Sequence, residues 1–223
     1  MTRATIRCLN RMNDNKNTFL AVGALLAIAG SLTFLYFSQF GGSKMNLKPM
    51  ENLGLIVAEE TARLLSQPGP VVIVAEVEET RSLNTEALIK GFKSGLAKQS
   101  GVTLKAVEDL KRSMDGDPRL WPAGHAEQLS KLGAGTSGIV FIGGLPQELT
   151  KDDLAALKAI KSKLIFVTAQ APTLKPLLQQ GLVHLAVVNR FPPKPAVSRK
   201  ESPRQWFDRV YLVAKPDALG ELP

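Results

Sequence analysis

One stretch constrains this chain more than any other: residues 18–43 run TFLAVGALLAIAGSLTFLYFSQFGGS, 26 residues without a charge. About 20 such residues wound as a helix span a hydrocarbon core of roughly 30 Å, whereas a buried helix in a soluble fold this small shows a polar face. Residues 18–40 therefore read as one transmembrane helix. Phe34, Tyr36, Phe37 and Phe40 crowd its C-terminal end, where aromatic rings favour the membrane interface. Ahead of it Arg3, Arg7, Arg11 and Lys16 stand against a single acid, Asp14. The positive-inside rule then keeps segment 1–17 in the cytoplasm and puts the chain from Lys44 onward outside, in the periplasm of a Gram-negative cell.

A cleaved signal peptide is the rival reading, since a basic segment before an apolar run describes both. A signal core takes about 7–15 residues and ends at a small-x-small site; here the run is longer and ends in Leu35-Tyr36-Phe37-Ser38-Gln39-Phe40. An uncleaved anchor is preferred. The lone cysteine, Cys8, precedes the apolar run, so lipoprotein acylation is excluded, as are an internal disulfide framework and a multi-thiolate zinc site.

Past the anchor, residues 41–70 read as a juxtamembrane linker and an amphipathic helix over 51–66, with Leu53, Ile56, Val57, Leu64 and Leu65 on one side, stopped by Pro68-Gly69-Pro70. From Val71 strands and helices alternate. The apolar runs 71–75, 102–107, 138–142, 164–168 and 182–188 are short and rich in β-branched residues, as strands buried on both faces should be. Helical spacing fills 83–96, 123–132, 151–161 and 173–180, and the polar loop 109–121 carries the turn Asp115-Gly116-Asp117-Pro118. Thr150 and Asp153 form a capping-box pair, with Leu149 placed to staple onto Leu154. The expected class is α/β: a doubly wound parallel sheet, flavodoxin-like, of order about 2-1-3-4-5. Residues 71–189 form this lobe, and 190–223 a proline-rich basic linker with a closing strand at 209–214 as a sheet edge. In that tail Trp206 and Phe207 are expected to dock the strand on the core.

The segment 71–109, an apolar strand, a short polar loop, a long helix ending "GLAKQSG" and then "VTLKAVED", resembles the opening of the type I periplasmic binding proteins of the ribose and galactose kind. "HAEQLSKLGAGTSGIVFIGG" followed by "LAALKAIKSKLIFVTAQ" is similar to their repeated helix and strand pattern, and "FDRVYLVAKPDAL" is faintly like their C-terminal strand. The resemblance covers about 71–189 plus this tail and rests on hydrophobic rhythm. It implies a lobe that binds a sugar-like ligand. Those proteins close two lobes around the ligand, but only about 20 residues separate Val188 from the final strand here, so the chain supplies one lobe. Where the family's first loop presents aromatic and Asn side chains, this one reads Glu78-Glu79-Thr80-Arg81-Ser82-Leu83-Asn84; Asn84 corresponds and no aromatic does.

In an open α/β sheet a ligand lies beyond the carboxyl ends of the strands, at the switch between strands one and three. The candidates there are Glu76, Thr80, Arg81, Ser82, Asn84, Gly143, Gly144, Thr168, Gln170, Asn189 and Arg190. Arg81 and Arg190 either hold an anionic group jointly or pair with Glu76 and Glu78. The string Gly133-Ala134-Gly135-Thr136-Ser137-Gly138 matches G-x-G-x-x-G but ends a helix and enters a strand, so it reads as a cap and turn rather than a dinucleotide site. No G-x-S-x-G or H-E-x-x-H occurs, and the two histidines offer little for metal or triad chemistry. His184 is expected hydrogen-bonded in a strand and His125 solvated on a helix. Asp152 and Asp153 fit a helix N-terminus.

The net charge of +8 divides unevenly: residues 1–40 carry four bases and one acid, 41–189 are almost balanced, and 190–204 carry five bases and one acid. The charge is thus a topology signal plus a basic tail rather than a nucleic-acid footprint. The sequence reads as a bitopic membrane protein held in the bilayer through 18–40, with an exported lobe for binding or sensing, without cofactor or catalysis. The partners considered are a small polar or anionic, sugar-like ligand and a membrane protein or second copy. A structural subunit of a membrane complex and a membrane-anchored enzyme are the alternatives.

Overall fold

The structure is a computed structural model describing residues 22–36, 45–112, 117–169, 172–196, 198, 200–220 and 222. The chain divides into two units, Met1–Asn46 and Leu47–Pro223. Of the first unit, residues 22–36 and 45–46 are described; residues 22–36 are helical and exposed throughout, with Leu25, Leu26, Leu32 and Phe34 each more than 60 % accessible. Among the described residues no helix is long and apolar enough to cross a membrane. The described part of the run, residues 22–36, rises about 22 Å as a helix, against the roughly 30 Å of a hydrocarbon core. The remainder of the expected span 18–40, and segment 1–17 with Cys8, lie outside the described residues.

The second unit is built from α1 (Lys48–Leu65), β1 (Gly69–Val77), α2 (Leu83–Leu96), β2 (Val102–Lys111), α3 (His125–Leu132), β3 (Gly138–Ile142), α4 (Lys151–Ala159), β4 (Lys163–Thr168), α5 (Leu174–Gln179), β5 (Leu185–Asn189), α6 (Pro203–Val210) and β6 (Tyr211–Ala214). The sheet order is β2-β1-β3-β4-β5-β6. It differs from the expected five-strand order by β6, which pairs antiparallel with β5 while the other pairs are parallel. Four residues suffice for β6 because it closes an edge and needs one partner.

Side chains along each strand alternate between two core layers, the period of two dictated by the pleat. Val71, Ile73, Ala75, Val140, Ile165 and Val187 face α1, α2 and α6. Val72, Val74, Ile139, Phe141, Phe166 and Val188 face α3, α4 and α5. Among the described residues both layers are drawn from positions 50–222. α1 and α2 approach until their backbones touch: a Cβ on Gly54 would run into the Leu88 carbonyl, and one on Gly91 into the Glu51 carbonyl.

Local chemistry sets the helix ends. Ser82 caps α2 by accepting from the Thr85 amide at 3.1 Å, and the Thr150–Asp153 capping box closes α4; each supplies partners that first-turn amides lack. The segment read as linker contains a helix, α6. Ser202 and Gln205 form its capping box and Pro203 stands at its first turn, so the signal was present as S-P-R-Q. Phe207 is buried and Trp206 packs edge-on against Tyr211 at 5.5 Å. α6 is bound to α1 through Arg204, whose guanidinium donates to the buried carboxylate of Glu60 at 2.8 Å.

Candidate functional site

β1 lies between β2 and β3, so the topological switch falls beside its carboxyl end, where Glu76 projects. Its Oε2 accepts the Gly144 amide at 2.7 Å and a long contact from Arg112 at 3.5 Å. Its Oε1 lies 3.3 Å from His125 Nε2, out of line for a hydrogen bond. Both side chains are withdrawn from water, 9 % and 1 % accessible. Burial works against ionisation of Glu76, and His125, the Gly144 amide and Arg112 outweigh it and hold the carboxyl below its ordinary value. Trp121 roofs the cluster: its indole N–H donates to the Gly144 carbonyl at 3.0 Å and its ring lies 5.2 Å from that of His125.

Gly143 is fixed by this packing. A Cβ there would come within 2.6 Å of both the Glu76 Cβ and the Phe141 ring, so the position stays glycine whether or not anything binds. Thus Glu76, Gly143 and Gly144 come together as expected of a crevice, but the chain's own side chains occupy the space between them.

The other candidates do not converge. Arg81 turns to the edge of the sheet, donating to Asp109 and to the Val107 carbonyl, rather than to Glu76 or Glu78. Arg190 follows β5, four strands from β2, or about 19 Å at the usual strand spacing; the two arginines therefore cannot share one small anion. Ser82 is spent as a cap, Thr80 and Asn84 are exposed, and Asn189 ends β5 on the exposed side. Thr168 ends β4 with its hydroxyl buried and without a hydrogen-bond partner. Gln170, like residues 113–116 of the expected Asp115–Pro118 turn, lies outside the described residues.

Three members of the cluster were not among the candidates: Arg112, Trp121 and His125. β2 continues to Lys111 instead of stopping at Val107, and that extension carries Arg112 level with the end of β1, its amide donating to the Val77 carbonyl at 2.8 Å. His125, expected in solvent, is buried because α3 begins with its first turn against Trp121 and Phe141. His184, expected inside a strand, lies just before β5, where its Nδ1 accepts the Leu164 amide at 3.2 Å. The G-x-G-x-x-G string sits at the opposite, amino-terminal end of the strands beside a cleft of about 350 Å³. The Thr136 and Ser162 hydroxyls there are bound to the Gly133 and Thr136 carbonyls. Among the described residues no three His, Cys, Asp or Glu side chains gather as a metal site.

A mostly parallel sheet with helices on both faces and a polar cluster at the switch point defines a fold similar to one lobe of a type I periplasmic binding protein. Solved structures like it include a sugar-binding protein of a sugar ABC transporter from Bacillus halodurans, with TM-score 0.51 at 16 % identity, covering 77 % of this chain and 63 % of that one. An arabinose binding protein from Geobacillus stearothermophilus gives 0.51 at 16 %, covering 75 % and 61 %. A glucose-galactose binding protein from the same organism gives 0.50 at 13 %, covering 77 % and 61 %. At these identities the likeness is one of fold, and the chain spans about three-fifths of the length of each. No protein-family model matches the chain, and no curated protein matches it in sequence.

Proposed function

We propose that the chain is a membrane-anchored, non-catalytic lobe that binds or senses a small polar ligand on the extracytoplasmic side. The observation that carries the binding half is the polar cluster at the switch point, where Glu76 Oε1 and His125 Nε2 each lack a hydrogen-bond partner while buried. Buried polar atoms are rarely left so, and a ligand hydroxyl that reaches the pair from one side, once the packing around it opens, would give each atom a partner. The sugar-binding neighbours agree in kind with a polyhydroxyl ligand. The anchor half rests on the uncharged run 18–43 and on the exposed apolar side chains of helix 22–36. A single lobe covers a ligand from one side, so a second copy or a partner would complete the enclosure.

The test is a thermal-shift screen of residues 45–223 against arabinose, galactose, ribose and inorganic phosphate. The reading expects stabilisation by one sugar, lost in Glu76→Gln, since a ligand at 100 times its Kd adds about 2.7 kcal/mol. No shift with any of them overturns ligand binding at this site. The second reading, a structural subunit of a membrane complex, is favoured by one observation: Glu76, Arg81 and Ser82 are engaged within the lobe. Crosslinking in native membranes that yields monomer alone would contradict it.

A further inference from the structure

The basic tail is divided by the fold into two groups of different fate. Arg204 is tied to Glu60 and Asp208, and Arg209 is held in a bidentate pair by Glu201 at 2.8–3.1 Å. Those contacts engage three acids, Glu60, Asp208 and Glu201, the last 11 % accessible against Arg209. Lys194 and Lys200 are exposed and enter no ion pair among the described residues. Between β5 and α6 every described residue from Phe191 to Ala196 is exposed, and Phe191 is 89 % accessible, the largest value of any large apolar side chain in the lobe.

This segment is presented rather than loose. The Arg190 amide donates to the Val210 carbonyl at 2.7 Å and the Lys194 amide to the Arg209 carbonyl at 3.0 Å, which clamps the loop at two points. Pro192, Pro193 and Pro195 restrict φ there and bias each preceding residue to extended backbone. An aromatic ring is therefore held out three residues before the exposed Lys194, with the exposed Lys200 further along the same segment. A solvated linker needs no clamped segment; here the clamp holds an outward ring and the exposed Lys194 in one short stretch.

We propose that Phe191, Lys194 and Lys200 form a contact site for an anionic lipid surface, the ring entering the interfacial region and the ammonium groups lying among acidic headgroups. Aromatic rings partition to that region, and each lysine near an anionic leaflet strengthens binding about fivefold. This goes beyond ligand binding by the lobe and does not depend on the N-terminal segment.

The test uses residues 45–223, which contain the compact unit Leu47–Pro223, in co-sedimentation with phosphatidylcholine vesicles made with and without phosphatidylglycerol. Binding should require phosphatidylglycerol and weaken as salt is raised. Lys194→Gln with Lys200→Gln should reduce it about 25-fold, and Phe191→Ser about tenfold. Lys98→Gln with Lys161→Gln, which removes equal charge elsewhere, should leave it unchanged; thermal melts of each variant report that the lobe is folded. Equal binding to both vesicles, no binding, or equal losses in the two lysine pairs would overturn the site. Loss of a protein crosslink in Phe191→Ser without any dependence on phosphatidylglycerol would overturn it in favour of a protein groove. None of these outcomes touches the ligand reading, because the site lies at β5 and not at Glu76.

Discussion

Glu76 and His125 meet 3.3 Å apart at the carboxyl end of the first strand, both shielded from water, with Arg112 and the Gly144 amide on the far side of the carboxylate. The crevice that a doubly wound sheet opens at its switch point is here lined, and largely filled, by a carboxylate network drawn from β1, the end of β2, the start of α3 and the loop after β3.

Removing that carboxylate strands its partners. Glu76→Ala is expected to cost about 3 kcal/mol, the scale of breaking a buried pair, and Glu76→Gln about 1 kcal/mol, because the amide oxygen still accepts from Gly144. The folded carboxyl titrates below its ordinary value, so its contribution is complete above about pH 4.5 and drains away as pH falls through the lowered value. Urea titrations from pH 7 to pH 3 should show an acid-side loss that is shallower in Glu76→Gln.

The contact between α1 and α2 depends on glycine. Gly54→Ala drives a methyl into the Leu88 carbonyl and the Phe92 amide, backbone atoms that cannot turn aside, so the helices must separate. The expected cost is about 2 kcal/mol, within the range of overpacking. Gly220→Ala, which meets nothing within 4 Å, should be neutral in the same denaturation experiment.

Glu60 is 3 % accessible and gathers Arg63, Arg204 and Lys215, each far more exposed than itself. Deleting the acid frees three cations that can reach water, so Glu60→Ala should lower global stability by only about 1 kcal/mol. Its local effect should be larger. Amide exchange in α6 is expected to accelerate in Glu60→Ala and in Arg204→Ala while β3 and β4 stay protected.

His184 must remain unprotonated at Nδ1 to accept the Leu164 amide. Burial first, and then the charge of Lys163, lower its pKa below the ordinary 6.5. Folding thus favours the neutral ring, and stability is lost as pH falls below about 6.5 towards the lowered value. An NMR titration should place the His184 midpoint under 6.5 and move it upward in Lys163→Gln.

How much of this was legible in the sequence depends on range. β3 was found at its observed ends because Gly138 to Ile142 is one apolar run between a turn and Gly143-Gly144. The cap of α4 was readable from Thr150 and Asp153, three residues apart. α6 was missed although Ser202, Pro203 and Gln205 announce it, since the prolines before it drew the whole tail into one linker. The Glu76 cluster was half visible. Glu76 and Gly143 follow from the rule for open sheets, but Arg112 is 36 residues from Glu76 and His125 belongs to a short helix whose period cannot say which end turns inward. Arg81 was assigned to the crevice because it follows β1; its partner Asp109 lies on the neighbouring strand β2, and only the sheet register brings them together.

Everything proposed about the setting of this lobe depends on which side of a membrane it occupies. The most direct measurement is a pair of C-terminal fusions to the full chain in a Gram-negative host, one to alkaline phosphatase, which is active when exported, and one to green fluorescent protein, which matures in the cytoplasm. The account predicts an active phosphatase and a dark fluorescent fusion, both in the membrane fraction. A fluorescent fusion with an inactive phosphatase, or either fusion in the soluble fraction, would contradict it.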